Sequence, residues 1–196
     1  MHPFRDFSAS LYRKPGVADA SLFVQDRYGL NINLILLCIW VAETGGGALT
    51  AGNIATALRR LADWEQHVIQ PLREIRRACR HEALGIPEFL LQTFQPQIET
   101  VELGAEHVEQ LVLAEFARGW TENDARFPVD ESPDNSVGHS AGKPAGDAVC
   151  SLKAYIGELD IVPEAPLTEC LSVILQAAFA GAYFPVDAAD SEQPAS

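Results

Sequence analysis

The sequence predicts an all-α fold, a single compact bundle of about seven or eight helices around a buried central helix, 31–43. From Leu34 to Ala42 no side chain is charged or polar except Cys38. A helix that is apolar all round has no solvent face, so it belongs at the centre of a bundle. Elsewhere apolar residues recur at spacings of three and four, the period of a helix, and no stretch alternates as a half-buried strand would.

The first helices are predicted from apolar spacing and from their breaks. A short amphipathic helix precedes Pro15, because proline disfavours a helical residue before it. A second helix follows over about 17–28. Gly29 is placed to end this helix as its C-terminal cap, and Asn31 can then cap the N-terminus of the central helix.

Two more helices are predicted after the triple glycine at 45–47. Thr50 caps the first, and a longer one runs over about 63–80. Pro71 lies inside the longer helix, where a proline should either kink it or divide it in two.

The cleanest helical pattern follows Pro96. It predicts a helix with a narrow apolar seam. The short apolar segment at 89–94 is predicted to be separate from this helix and to end before Pro96. The residues of that predicted seam are Ile98, Val101, Ala105, Val108, Val112 and Phe116.

The domain organisation follows from a change in composition after this helix. Residues 1–118 are predicted to form a helical core. Over 119–146 Gly, Pro, Ser, Asn and Asp dominate, which predicts a flexible loop or insertion. Two C-terminal helices over 147–184 should pack on the same domain, and 185–196 should be a disordered tail.

Charge excludes two classes of partner. The formal net charge is −13, whereas a general nucleic-acid binder or a protein that docks on anionic lipid needs a basic face. The charge is uneven: residues 1–82 carry ten basic and eight acidic side chains, and 83–196 carry four and nineteen. This asymmetry indicates that one part packs electrostatically on the other, or that the acidic half is a solubilising or partner-selecting surface.

The cysteines and the N-terminus predict a cytoplasmic protein. The four cysteines are far apart and have no paired spacing, which is typical of reduced, buried thiols. The N-terminal residues lack the apolar stretch of a signal peptide, and the apolar run of the central helix is about half the length that crosses a bilayer.

Residues 138–142 match the nucleophile-elbow pattern Gly-x-Ser-x-Gly. That motif needs a strand before it and a helix after it. Turn-forming residues precede it and Pro144 follows, so neither element is expected to form. No histidine follows His139 to serve as a base, and the sequence predicts no catalytic residue here.

Two charged rows occupy neighbouring helices. The acidic row is interpreted as a solvated or salt-bridged face that flanks the apolar seam; its members are Glu99, Glu102, Glu106 and Glu109. The basic row needs compensation, either from these carboxylates or from a bound anion; its members are Arg73, Arg76, Arg77 and Arg80. Because Pro71 should bend the start of the basic row, at least one arginine, with Arg73 the first candidate, is expected to point to Asp26 or into the polar residues near Gly29.

The candidate site is a polar cluster at the start of the central helix. Asp26, Asn31 and Asn33 surround the Gly29 turn, either as capping residues or as a ligand site with Tyr28 and Trp40 as its walls. The full candidate set for a ligand or partner is Asp26, Asn31, Asn33, Trp40, Arg73, Arg76 and Arg77.

No cofactor and no metal is predicted. The triple glycine follows a helix, whereas a dinucleotide or phosphate loop follows a strand. The five histidines have no ligand spacing, and the acidic row lacks the Glu-x-x-His pairs of a carboxylate-bridged di-metal centre.

Several of these pieces carry a resemblance. The chain resembles an uncharacterised family of small, mostly proteobacterial proteins that is defined only as a domain of unknown function. The resemblance covers about residues 4–115 and, more loosely, the last two helices; it implies a compact helical fold in the bacterial cytoplasm and no particular chemistry. It lies in Leu11–Tyr12, Pro15–Val17, Gln25–Asp26, Gly29, Asn33–Leu34, Cys38, Trp40, Trp64, Pro71–Arg73, Arg76–Arg77, Glu102–Leu103 and Ala105–Glu106.

Together these observations favour a non-enzymatic function. The predicted protein is a cytoplasmic interaction, adaptor or regulatory module whose partner is another protein. The alternative is an enzyme or small-anion-binding protein with a pocket near Asp26, Asn33, Trp40 and Arg73–Arg77. An adaptor should expose an apolar or charged patch, and an enzyme should have a cavity with converging polar groups and a perturbed pKa.

Overall fold

Helices make up 80% of the computed structural model, which describes residues 2–79, 85–124 and 144–185, the side chains of 120–124 excepted. No strand occurs within these ranges, so the predicted all-α class is confirmed. The helices are α1 (Pro3–Tyr12), α2 (Val17–Tyr28), α3 (Ile32–Glu43), α4 (Ala51–Trp64), α5 (Gln70–Cys79), α6 (Glu88–Asp124), α7 (Pro144–Glu158) and α8 (Ala165–Ala178).

α3 lies at the centre of the bundle, as its composition predicts. Its residues from Asn33 to Ile39 are all buried, and it packs against α1, α6 and α7. Gly29 ends α2 in the left-handed conformation that glycine adopts without strain. Asn31 then begins α3, and its side-chain oxygen accepts a hydrogen bond from the backbone N–H of Leu34 at 3.2 Å.

Trp40 departs from the expected burial of α3. Leu36 is 3% exposed, but Trp40 is only half-buried. Its ring contacts Phe4 and His2 at the start of α1 and lines a cavity of about 330 Å³. The short N-terminal end of α1 covers one side of the indole and leaves the other open.

α4 and α5 are joined without a loop, through a π-helical segment over Glu65–Ile69. The backbone N–H of Gln70 donates to the carbonyl of Glu65, five residues earlier. Pro71 follows at once, and it has no N–H and would clash with the carbonyl four residues before it. The predicted interruption at Pro71 therefore takes the form of a π turn directly before the proline, and the helix path continues.

α6 is a single helix of 37 residues, so the predicted break at Pro96 is wrong. Pro96 and the preceding Gln92 are exposed. Water can therefore bond the Gln92 carbonyl that the missing proline N–H leaves unpaired. The hydroxyl of Thr100 donates to the Pro96 carbonyl at 2.7 Å, which holds the next turn.

The two C-terminal helices lie against the N-terminal ones. α7 packs against α3 and α4, and α8 packs against α2. α7 begins at Pro144, a favoured first position, so the expectation that no helix could follow the Gly-x-Ser-x-Gly match is wrong. Residues 119–124 and 144–146, at the two ends of the predicted loop 119–146, are helical. The Gly-x-Ser-x-Gly match, loop residues 125–143 and the tail from 186 lie outside the described residues. None of the described helices has the length and apolarity to cross a membrane.

Candidate functional site

Two members of the acidic row, Glu102 and Glu109, face the bundle interior, whereas Glu106 is partly buried and Glu99 is exposed. Glu102 is 7% exposed and Glu109 is 0% exposed, whereas Val101 and Val108 are 54% and 44% exposed. The predicted orientation of this helix is therefore wrong at four positions: Glu102 and Glu109 lie inside, and the two valines lie outside, although Ala105 of the predicted seam is buried. Burial of a charged group is costly unless it is paired and hydrogen-bonded, so each buried carboxylate requires partners.

Arg73 of α5 supplies partners for part of this row. Its guanidinium is 3% exposed and lies among three carboxylates. Nη1 donates to Glu65 at 3.0 Å, Nη2 donates to Glu106 at 3.3 Å, and Nε lies 3.9 Å from Glu102. Burial raises the pKa of Glu106 more than the nearby Arg73 lowers it. The π turn adds one residue to a helical turn between Glu65 and α5. This rotates Glu65 around the helix axis relative to α5, and its side chain reaches Arg73.

The other two described arginines of the basic row are also paired. Arg76 donates from Nε to Glu102 at 2.6 Å in a largely buried position. Arg77 pairs with Asp26 at 3.1 Å, but both side chains are about half exposed. An arginine of the basic row does reach Asp26, as expected, but it is Arg77 and not Arg73, which lies one helical turn earlier. Arg80 lies outside the described residues.

Glu109 is held by the two asparagines at the start of α3. The side-chain amides of Asn31 and Asn33 donate to its two oxygens, the second at 3.0 Å. Both amides have fixed orientations: Asn31 Oδ1 accepts from the Leu34 N–H, and Asn33 Oδ1 accepts from Gln110 at 2.8 Å. These two candidate residues therefore attach α3 to α6 through one buried carboxyl.

Burial of Glu109 raises its pKa to about 7, although the hydrogen bonds from Asn31 and Asn33 lower it. Glu65 also raises this pKa and Arg73 lowers it, with smaller effects. The Tyr155 hydroxyl of α7 accepts from the Asn31 backbone N–H at 2.8 Å, and burial raises the pKa of Tyr155 as well. Three helices thus meet at Asn31.

We expect the Glu109→Gln variant to lose part of the pH dependence of stability. The pKa of Glu109 is raised from 4.5 to about 7 on folding, so the folded state binds the proton more tightly. Its contribution is complete below pH 4.5 and is lost as pH rises through 7. The free energy of unfolding of the wild type should therefore fall by up to about 3 kcal/mol from this group between pH 5 and pH 8.

Urea denaturation at pH 5 and pH 8 measures this effect. Between these two pH values the free energy of unfolding of Glu109→Gln should fall less than that of the wild type, by most of the roughly 3 kcal/mol that Glu109 contributes. Glu115→Gln removes an exposed carboxylate of the same helix and should keep the wild-type fall. An equal fall in the wild type and in Glu109→Gln would show that Glu109 is ionised to the same extent in both states.

A cavity of about 390 Å³ lies beside this cluster, between α3, α4, the π segment and α7. Leucines form most of its apolar lining, and Asn31, Glu65, Gln70 and Tyr155 are among its polar groups. Gln70 donates to Glu65 at 2.8 Å, so most of these polar groups already have partners within the protein. Trp40 lines the other cavity and does not belong to this cluster.

The outward side of α6 carries a second candidate site, which we name the α6 seam. Its seven residues alternate at spacings of four and three, and all are exposed. They are Leu90, Phe94, Gln97, Val101, Gly104, Val108 and Leu111. This is the spacing at which one helix packs along another in a coiled coil. Within the described residues about half of each of its five large apolar side chains is exposed.

Several residues of the buried cluster are absent from the set predicted as a site. Glu65, Glu102, Glu106 and Glu109 hold the predicted arginines and asparagines, and Tyr155 closes the cluster from α7. One signal in the sequence could have indicated Glu102 and Glu109. They are seven residues apart, so they lie on the same helix face as Ala105. That face could be buried in place of the face that carries Val101 and Val108.

Among the ranges that the structure covers, no group of three His, Cys, Asp or Glu side chains is arranged to hold a metal ion. Residues 4–113 match the family described as "Protein of unknown function (DUF2390)". This span contains the α6 seam and every residue of the buried cluster except Tyr155. No curated protein and no solved structure matches the chain.

Proposed function

This chain belongs to the DUF2390 family of proteins of unknown function, and we propose that it is a non-enzymatic interaction protein that binds an amphipathic helix along α6. The observation that carries this proposal is the α6 seam. Its five large apolar side chains are between 43% and 54% exposed, over about 33 Å of helix. Exposed apolar surface of this extent on a soluble domain is typical of a protein–protein contact.

The regular spacing of the α6 seam favours a helical partner. Side chains that alternate at spacings of three and four form a nearly straight line along a helix, which a second helix can follow. Scattered apolar residues on a surface need no explanation, but seven consecutive positions of one heptad pattern do. An amphipathic helix with the same spacing would bury the line along its whole length.

The surroundings of the α6 seam favour an apolar partner face. From Phe89 to Leu111 the only charged side chains are four glutamates. Two are buried, Glu106 pairs with Arg73, and Glu99 lies about half a turn from the seam. A partner helix therefore meets no ionised group along the seam, and no charge has to be desolvated.

The arginines support neither catalysis nor anion binding. Arg73 and Arg76 are occupied by carboxylates in largely buried pairs, and an anion would have to displace these carboxylates. Arg77 is exposed, and it pairs with Asp26. Paired and buried charges of this kind are typical of a structural cluster, and here they fix α6 on the bundle so that its other side faces outward.

A peptide-binding measurement tests this proposal. The probe is a fluorescent 22-residue neutral helix with leucines at alternating spacings of three and four. Fluorescence anisotropy should show that the wild type binds it and that Val101→Glu weakens binding by at least about tenfold, because a carboxylate would be buried without a partner. Val162→Glu adds the same charge at an exposed site outside α6 and should bind as the wild type does. Equal binding by Val101→Glu and the wild type would contradict the proposal.

The cavity beside the Asn31 cluster favours a second candidate function, the binding of a small ligand. Its volume of about 390 Å³ and its leucine lining with a few polar groups fall within the range of ligand sites. Among its described lining residues Glu65 is the one carboxylate and no basic side chain occurs, so a neutral or cationic ligand fits better than the predicted anion. Thermal shift with hexylammonium and with hexanoate, which have equal chain length, separates these cases. A higher Tm with hexanoate alone would contradict a cationic preference.

A further inference from the structure

We propose that the helix bound along the α6 seam is α6 of a second copy of this chain, so that the protein is an antiparallel homodimer. This inference rests on the proposed function, because it names the partner of the same surface. Most soluble oligomers are symmetric dimers in which one surface patch contacts its own copy. A patch can do so only if it is complementary to itself, and the α6 seam has this property.

The complementarity is between large and small residues placed symmetrically about position 99. Phe94 lies five residues before this position, and Gly104 lies five residues after it. In an antiparallel pair centred there, the Phe94 ring of one copy faces Gly104 of the other, and each ring finds a gap. The space that a Cβ would occupy at Gly104 is open to 4 Å. Close packing of a large residue against a small one is the condition for a dry contact.

Four of the remaining five seam residues pair in the same register, and Leu111 would face position 87, just before the start of α6. Leu90 faces Val108, nine residues on either side of position 99, and both are exposed apolar side chains. Gln97 faces Val101, two residues on either side, near the symmetry axis. A single polar residue in an otherwise apolar seam sets the register of a coiled coil, and Gln97 takes that role here.

Other arrangements of two copies fit less well. A parallel pair would place Phe94 against Phe94 and leave a gap at Gly104, which loses packing at both positions. An antiparallel pair displaced toward the C-terminus would place the exposed Glu115 against Leu90 and bury its carboxylate. The arrangement about position 99 places no charged side chain in the contact.

Charge also permits the approach of two copies. Each chain carries a net charge of −13, so an acidic surface would repel its own copy. Along the α6 seam this repulsion is weakened because Glu102 and Glu109 are buried and Glu106 is paired with Arg73. Flanking charges usually select a different partner in a coiled coil. Here the exposed positions beside the α6 seam include Thr93 and Thr100, which are uncharged and do not repel a second copy.

Sedimentation equilibrium of the full chain over 0.1–100 μM tests the proposal. A contact along one helix of about 33 Å is small, so we expect dissociation in the micromolar range. Val101→Glu places a carboxylate beside the axis in both copies and should raise the dissociation constant at least about 100-fold. Val162→Glu is the matched control and should dimerise as the wild type does.

Exchange of size between two seam positions tests the register. Gly104→Leu should stabilise the helix of the monomer, since its side chain meets open space, and yet raise the dissociation constant at least about tenfold by blocking the Phe94 ring. Phe94→Ala combined with Gly104→Leu should recover dimerisation, because the large and small residues have exchanged places. If Gly104→Leu dimerises as the wild type does, the register about position 99 is wrong.

The outcomes separate this inference from the proposed function. A wild type that stays monomeric at 100 μM but binds the leucine peptide would overturn the homodimer and leave the helix-binding function in place. A monomer that does not bind the peptide would overturn both. A dimer that Val101→Glu leaves intact would show association through another surface, and the homodimer proposed here would be rejected. Circular dichroism of each variant shows that the helices are formed.

Discussion

Replacement of Arg73 by alanine is expected to lower the free energy of unfolding by about 3–5 kcal/mol. The guanidinium is buried, and it is the shared partner of Glu65, Glu102 and Glu106. Its removal leaves carboxylates in a largely buried position with fewer partners, and an uncompensated buried charge costs more than the pair itself contributes. Urea denaturation at pH 7 measures the loss.

Arg77→Ala provides the matched control on the same helix. Arg77 pairs with Asp26 at the surface, where both side chains are about half exposed, so its removal should cost no more than about 1 kcal/mol. A large cost for Arg77→Ala and a small one for Arg73→Ala would contradict the assigned positions of the two arginines. Which of the two substitutions lowers the free energy of unfolding more therefore tests which side of α5 faces the interior.

Asn31→Ala is expected to cost about 2–4 kcal/mol, because Asn31 makes two kinds of contact at once. It caps α3 through the Leu34 N–H, and caps contribute about 1 kcal/mol. Its amide also donates to the buried Glu109, which is ionised at pH 8, and hydrogen bonds to charged groups contribute about 1.5–3 kcal/mol. Alanine removes both, and the Glu109 carboxyl keeps only Asn33 as an amide donor.

Thr50→Ala separates the cap from the contact with Glu109. Thr50 caps α4 in an exposed position and bonds only Asn53 within its capping box. Its replacement should cost about 1 kcal/mol. Equal costs for Asn31→Ala and Thr50→Ala, measured by urea denaturation at pH 8, would show that the Glu109 contact contributes nothing to stability.

The central helix could be predicted because its signal is local. Nine consecutive residues without charge leave only the interior for α3, whatever surrounds it. The caps at Gly29 and Asn31 are local as well, and both are found as predicted. The exposure of Trp40 could not be predicted in this way, because it depends on where the end of α1 lies against α3.

The orientation of α6 could not be predicted from its own residues. Two stripes compete for the interior, one with Val101 and Val108 and one with Glu102 and Glu109. Hydrophobicity alone favours burial of the valines. The residues that pair with the glutamates, and so place the glutamates inside instead, are distant in sequence. Arg76 lies 26 residues from Glu102, and Asn33 lies 76 residues from Glu109. Only the assembled bundle brings these groups together, and the valines then face outward.

Some residues of the buried cluster could be predicted from the sequence, but their contacts could not. Asn31 and Asn33 do lie at a polar cluster beside a cavity, and the arginines do meet the acidic row. The π turn before α5 rotates the side chains of α5 around the helix axis. As a result Arg73 contacts Glu65, and Arg77 contacts Asp26. A π turn is invisible to an argument from a uniform helical period.

The accessibility of position 101 tests most directly whether α6 presents its apolar side to a partner. Val101→Cys is compared with Ala105→Cys, one turn away on the buried side, after Cys150 and Cys170 are replaced by serine. With a thiol reagent at 0.1 μM protein, the Val101→Cys thiol should react at nearly the rate of the unfolded chain and the Ala105→Cys thiol far more slowly. At 100 μM protein the reaction of Val101→Cys should slow as copies pair. A Val101→Cys thiol that is protected at every concentration, with a reactive thiol in Ala105→Cys, would contradict the outward orientation of the α6 seam.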